Sequence, residues 1–113
     1  MKNLILLLLL CPIIMMGQKS PCKSDICVVQ FNANWNQAND VEWVDEISDC
    51  GTKYIDIATD PDAAALYEIV VVPTIIVFNG KEVKRFQADI SFAMKATKED
   101  VQEVVDEILM DSF

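Results

Sequence analysis

Two small sets of side chains in this chain could do chemistry, and residue type limits what each can do. Asn36 and Asn39 stand three apart, directly after Trp35, where an apolar run gives way to a polar one. A carboxamide cannot ionise usefully, attack a sulfur or form a mixed disulfide. It hydrogen-bonds, and at a helix head its oxygen accepts from unpaired N–H groups. Asn36 is therefore expected to be a structural N-cap. The second set is Cys22, Cys27 and Cys50, which can pair as disulfides or, as thiolates, exchange them. Histidine is absent, so the commonest general base and the commonest zinc ligand are missing. Metal catalysis is not expected. Three cysteines also fall short of the four that an iron–sulfur cluster takes. No cofactor is expected.

The elements that must position these residues follow from pattern. Cys27 to Phe31 is apolar without alternation, as in a central strand covered on both faces. A helix is expected over Gln37 to Cys50, with Val41, Val44 and Ser48 beside Trp43, Ile47 and Cys50 on its inner side and Gly51 at its C′ position. Tyr54 to Ile57 reads as a short strand. Asp60-Pro61 opens a helix that Asp62 to Glu68 continues, with an N-cap carboxylate and proline at N1. Thr74 to Phe78 and Glu82 to Phe86 flank Asn79-Gly80, a two-residue hairpin signal. Thr97 and Asp100 make a capping box for a helix whose inner stripe is Val101, Val104, Val105, Ile108 and Leu109. The order is β-α-β-α-β-β-α, an α/β domain with a central mixed sheet flanked by helices.

At 113 residues there is room for one domain and one core. Lys2 followed by the apolar run Leu4 to Met16 and the small residue Gly17 is the layout of a secretory signal peptide, too short to span a bilayer. Residues 1–17 are expected to be removed, leaving 18–113 as a single domain in a secreted or periplasmic location with no membrane span. The rival is a lipoprotein signal at Cys11, disfavoured by the bulky Leu10 before it. The remaining 8 basic residues against 18 acidic ones give a net charge of −10. Nucleic acid is excluded as a partner, because phosphate binding needs clustered Lys and Arg. A monomer is expected.

The element order, Phe31-x-Ala33-x-Trp35, Tyr67-x-Ile69 and Val72-Pro73-Thr74 together resemble the thioredoxin family, over about Cys27 to Leu109. The resemblance implies a thioredoxin-like fold and a cis Val72–Pro73 bond facing the active-site turn, with Val72 offering its backbone to an extended substrate. It also implies that Asn36 and Asn39 occupy the places of the family's Cys-x-x-Cys. Gln30 and Tyr54 stand where a buried acid and a lysine are usual; both hydrogen-bond without ionising near neutral pH. Trp35, Asn36, Val72, Pro73, Thr74 and Phe92 are the expected groove residues. Trp35 is either a wall of that groove or an aromatic packed beneath the turn. Ile90, Phe92 and Met94 alternate with polar or small residues, in an extra edge strand or a loop laid over the core.

In a β-α unit the helix's end returns to the strand's beginning, so Cys22, Cys27 and Cys50 are expected at the pole opposite Trp35 and Pro73. A Cys22–Cys50 disulfide with Cys27 buried is expected, while Cys27–Cys50 and Cys22–Cys27 stay open. The functional expectation is a redox-inactive thioredoxin-like binding module for an extended polypeptide or partner protein. The alternative is a thiol–disulfide oxidoreductase working through Cys22, Cys27 or Cys50.

Overall fold

The computed structural model describes residues 19–22 and 25–112. The signal-peptide reading of residues 1–17 and its rival at Cys11 lie outside them. Four strands form one mixed sheet in the order β2-β1-β3-β4. Strand β1 (Ile26–Asn32) pairs parallel with β2 (Gly51–Asp56) and antiparallel with β3 (Thr74–Asn79), which pairs antiparallel with β4 (Lys81–Gln87). Helices α1 (Pro61–Leu66) and α2 (Lys98–Asp111) complete the regular elements with two short 3₁₀ segments, Asn34–Asn39 and Glu42–Glu46.

Every residue of β1 is buried, as its unbroken apolar run predicts. Its side chains alternate between two cores. Ile26 and Val28, with Ile75 and Val77 of β3, face Val41, Val44, Ile47 and the α2 residues Val101 and Val105. Cys27, Val29 and Phe31, with Ile76 and Phe78, face Ile55, Ala63 and Tyr67. Full burial of such side chains stabilises by about 1.5–3 kcal/mol each, so the central strands are the anchor to which everything else is fitted.

Two of the predicted N-caps are present. The Asp60 side chain accepts from Ala63 N–H, with Pro61 in the first turn, although α1 stops at Leu66 rather than Glu68. Thr97 and Asp100 make a reciprocal capping box on α2. The chain turns at Asn79-Gly80, with only Gly80 of the pair at positive φ (81°).

The single helix expected over Gln37 to Cys50 is not formed. Two 3₁₀ segments stand in its place, separated by Asp40 and by extended Val41. The cause lies in β1. Gln30 is 4% exposed and points toward this segment; its Oε1 accepts from Val41 N–H at 2.7 Å and its Nε2 donates to Val41 C=O at 2.9 Å. A buried amide left unpaired would cost about 1–3 kcal/mol, and Val41 meets that demand by leaving the helical ladder. The asparagines at 34, 36 and 39 and Asp40 reinforce the break, since short polar side chains compete for backbone groups. The inner stripe survives in part: Val41, Val44 and Ile47 are buried, but Ser48 is exposed. Gly51 is not a C′ residue either. It opens β2, and the left-handed conformation falls at Asp49 (φ 66°), a residue type that tolerates it.

The expected Cys22–Cys50 disulfide is corrected to Cys22–Cys27, and the sheet explains why. Cys27 points into the Phe31 side with Cys22 packed beside it, whereas Cys50 packs on the Val28 side. The sheet lies between Cys27 and Cys50, although Cys27 is in register with neighbouring Gly51. Burial, then nearby Asp49, pushes the free Cys50 thiol up.

Two outcomes are expected. Among Cys22, Cys27 and Cys50, alkylation of the unfolded, unreduced protein should mark Cys50 alone, and peptide mapping should recover Cys22 linked to Cys27. Gln30→Glu should be less stable than wild type at neutral pH, because a carboxylate cannot donate to Val41 C=O and its burial is costly. Protonation restores the donor, and because burial and that bond favour the protonated form, the folded-state pKa is raised. The deficit should therefore shrink as pH falls through that pKa, as read by denaturant midpoints.

Candidate functional site

The carboxyl ends of β1 and β2 and the start of β3 meet at one end of the sheet, and the polar residues that β1 carries there organise it. Asn32 is fully buried and Asn36 is 6% exposed. Neither can remain unpaired at such depth. Asn36 Nδ2 donates to Asn32 Oδ1 at 3.1 Å and to Phe92 C=O at 3.3 Å, and Asn36 Oδ1 accepts from Asn39 Nδ2 at 2.8 Å. Asn32 Nδ2 donates to Asp40 Oδ1 at 2.5 Å and to Asn36 C=O at 3.3 Å. Tyr54, in register with Gln30, donates its hydroxyl to the same Asp40 oxygen at 2.9 Å. No buried side-chain nitrogen or oxygen among the described residues lacks a partner.

Asn36 is thus not the N-cap expected of it. Ala33 holds that position without a side-chain bond, and Asn36 sits inside the 3₁₀ segment at φ −114°. Its amide is instead the hub linking strand end, turn and the segment after β4. Partial burial, and next the Asp40 hydrogen bond, push the Tyr54 phenol up to about 12. Asn32 and Asp40 were not among the sequence-derived site residues. The available signal was the density of short polar side chains between residues 32 and 40, in a stretch otherwise read as helical.

The six expected groove residues divide into a floor and a surface. The Val72–Pro73 bond is cis. Val72 is 3% exposed, Thr74 is fully buried and Pro73 is nearly so. Thr74 Oγ1 donates to Val71 C=O at 2.6 Å, and Pro73 C=O accepts from Ala88 N–H at 3.0 Å, extending the β3–β4 ladder by one bond. These residues and Asn36 are all buried. The surface is Trp35, 64% exposed, and Phe92, 42% exposed, meeting edge to face with ring centroids 5.7 Å apart.

Residues 88–96 form a loop, not an extra strand. Asp89 organises its turn: Asp89 C=O accepts from Phe92 N–H at 3.0 Å, and its carboxylate accepts from Ser91 N–H and the Ser91 hydroxyl. Those Ser91 bonds, together with Lys95 at 3.5 Å, hold the Asp89 carboxyl below its ordinary range. Phe92 takes a left-handed φ of 62°, which directs its C=O to Asn36 and its ring to Trp35. Met94 packs against the Val28-side core. Ile90 is 97% exposed. The alternation of apolar residues thus serves the core at one position and leaves two to solvent.

The arrangement is built for hydrogen bonding and contact. Asp40 is the one carboxylate in the amide network, and the disulfide lies at the opposite pole. Two open depressions flank the Asp40–Glu42 break. One of about 500 Å³ is lined by Gln30, Asp40, Val41 and Tyr54, and another of about 340 Å³ lies between Trp43 and Ala93–Met94.

Comparison with known proteins agrees with this architecture. A point mutant of a thioredoxin from Halobacterium salinarum NRC-1 superposes with a TM-score of 0.58 at 21% identity, over 74% of each chain. Fasciola hepatica thioredoxin matches at 27% identity and TM-score 0.54, over 87% of this chain and 89% of its own. Schistosoma mansoni thioredoxin matches at 19% identity and TM-score 0.55, over 87% and 85%. No protein-family profile and no curated protein matches the chain. The fold is thioredoxin-like. Among the described residues no helix is long and apolar enough to cross a membrane.

The phenol gives a pH test. With its folded pKa raised from 10.0 to about 12, Tyr54 contributes stability that is fully present below pH 10.0 and is lost as pH rises through about 12. The stability difference between wild type and Tyr54→Phe, measured by urea denaturation, should narrow across that interval. Ultraviolet titration of the Tyr54→Phe variant should lack the most alkaline tyrosine step.

Proposed function

We propose that this chain is a secreted or periplasmic thioredoxin-fold protein without thiol–disulfide activity, acting as a binding module for an extended polypeptide or a partner protein. The observation that carries the reading is the Trp35–Phe92 pair. It is exposed, held through the Asn36–Phe92 bond, and lies at the end of the sheet where the family resemblance places redox chemistry. Large aromatic rings with few rotatable bonds bind extended peptides at low entropic cost. Their mounting is an amide network that hydrogen-bonds but has no nucleophile. Asn36 is occupied with Asn32, Asn39 and Phe92, and Gln30 serves Val41, so each departure from the family pattern has a structural employment. Localisation rests on the apolar N-terminal segment and on a disulfide, which suits an oxidising compartment.

The cysteine-based alternative has weaker support. Cys27 is fully buried. The Cys50 thiol is shifted away from ionisation by burial and Asp49, which lowers its thiolate fraction. Two measurements test the reading together. The native chain should not accelerate insulin reduction by dithiothreitol, with an ordinary thioredoxin as positive control. Trp35→Ala should weaken capture of extended polypeptide by at least about tenfold, in the range of an aromatic interface anchor, while leaving the denaturation midpoint nearly unchanged. Reductase activity that vanishes in Cys22→Ser or Cys27→Ser would transfer the function to the opposite pole.

A further inference from the structure

The aromatic pair is bordered by carboxylates. Asp56 Oδ1 accepts from the backbone N–H of Asn34, the residue before Trp35, at 3.2 Å. Asp60 follows one turn later, its backbone N–H bonded to Asp56 C=O at 3.0 Å, and it heads α1 at the same end of the sheet. On the other flank, Asp89 accepts from Phe92 N–H through its backbone C=O. Among the described residues, the cation that faces this set is Lys95, bridged to Asp89 at 3.5 Å with 74% of its side chain exposed. Of the β4 cations, Lys81 lies at the Asn79-Gly80 hairpin, Lys84 is opposite Val77 in mid-strand, and Arg85 is paired with Glu82.

An exposed aromatic face rimmed by net negative charge has a defined complement. We propose that the Trp35–Phe92 surface takes a basic polypeptide segment, one that alternates apolar residues with lysine or arginine. This rests on the proposed peptide-binding role and specifies its ligand. The apolar residues cover the rings. A lysine or arginine beside them meets the face of Trp35 or Phe92, where a cation is attracted by the ring quadrupole, and reaches Asp56, Asp60 or Asp89. Lys95 is the internal competitor for Asp89, held by an exposed pair of the kind that contributes little. The overall charge of −9 adds steering of the same sign.

The test uses three short synthetic peptides of one extended apolar sequence, with alternate positions filled by Lys, Gln or Glu. Binding to the folded chain is followed by fluorescence anisotropy at low salt, up to about 1 mM peptide, where only about 4 kcal/mol of binding is needed for detection. The lysine peptide should bind tightest and the glutamate peptide weakest, with the spread collapsing as salt shortens the screening length to a few Å. Asp56→Asn and Asp89→Asn keep an accepting oxygen and remove a charge, so each should weaken the lysine peptide by about two- to fivefold. Lys95→Gln should tighten it, a change of opposite sign that a merely structural effect would not produce. If all three peptides bind equally and still require Trp35, the binding-module reading stands and the charge specificity is overturned. If none binds, the binding-module reading fails and this inference fails with it.

Discussion

A strand buried on both faces cannot carry an unpaired polar side chain, and β1 carries two. Gln30 and Asn32 sit at 4% and 0% exposure in an otherwise apolar strand, and leaving either unpaired would cost about 1–3 kcal/mol per group. Their demands shape everything at the functional end. Gln30 takes both backbone groups of Val41 and breaks the expected helix into two 3₁₀ segments. Asn32 engages Asn36 and Asp40, and Asn36 in turn holds Phe92. The exposed aromatic pair is the last link of a chain of bonds that begins inside the sheet.

That dependence bears on the proposed contact role of this thioredoxin-like scaffold. A reactive thiol benefits from a helix N-terminus whose aligned peptide dipoles favour the thiolate. Here Trp35 and the four residues after it belong to a six-residue 3₁₀ segment interrupted at Asn36, with little dipole to offer. The same irregularity gives the asparagine side chains room to bond with one another and with the loop after β4. The cysteines serve a separate purpose at the far pole, where Cys22–Cys27 pins the segment before β1 to the strand. The disulfide and the exposed aromatic pair thereby lie at opposite ends of the sheet.

The sequence made the architecture legible because its signals were local and mutually consistent. An unbroken apolar run, a proline after an N-cap aspartate, a capping box and an Asn-Gly turn all lie where the structure has the matching element. The failures share a cause in long-range polar pairing. Helical periodicity over 37–50 was real, since Val41, Val44 and Ile47 do reach the core, but the bond from Gln30 to Val41 spans 11 residues and leaves no mark on periodicity. The Asn36–Phe92 bond spans 56. The disulfide was missed for a related reason: chain spacing brought three cysteines to one pole, while the side of the sheet each occupies decided which two could meet.

The central claim is that the Asn36 side chain is a buried structural hub beneath the Trp35–Phe92 surface. Side-chain amide NMR of the isotope-labelled native chain addresses it directly. The two Asn36 Nδ2 protons, donating to Asn32 Oδ1 and Phe92 C=O, should appear as a widely separated pair that exchanges slowly with water and shows cross-relaxation to the 88–96 loop. A degenerate, rapidly exchanging pair at solvent-like shifts would place Asn36 outside the network and contradict the account.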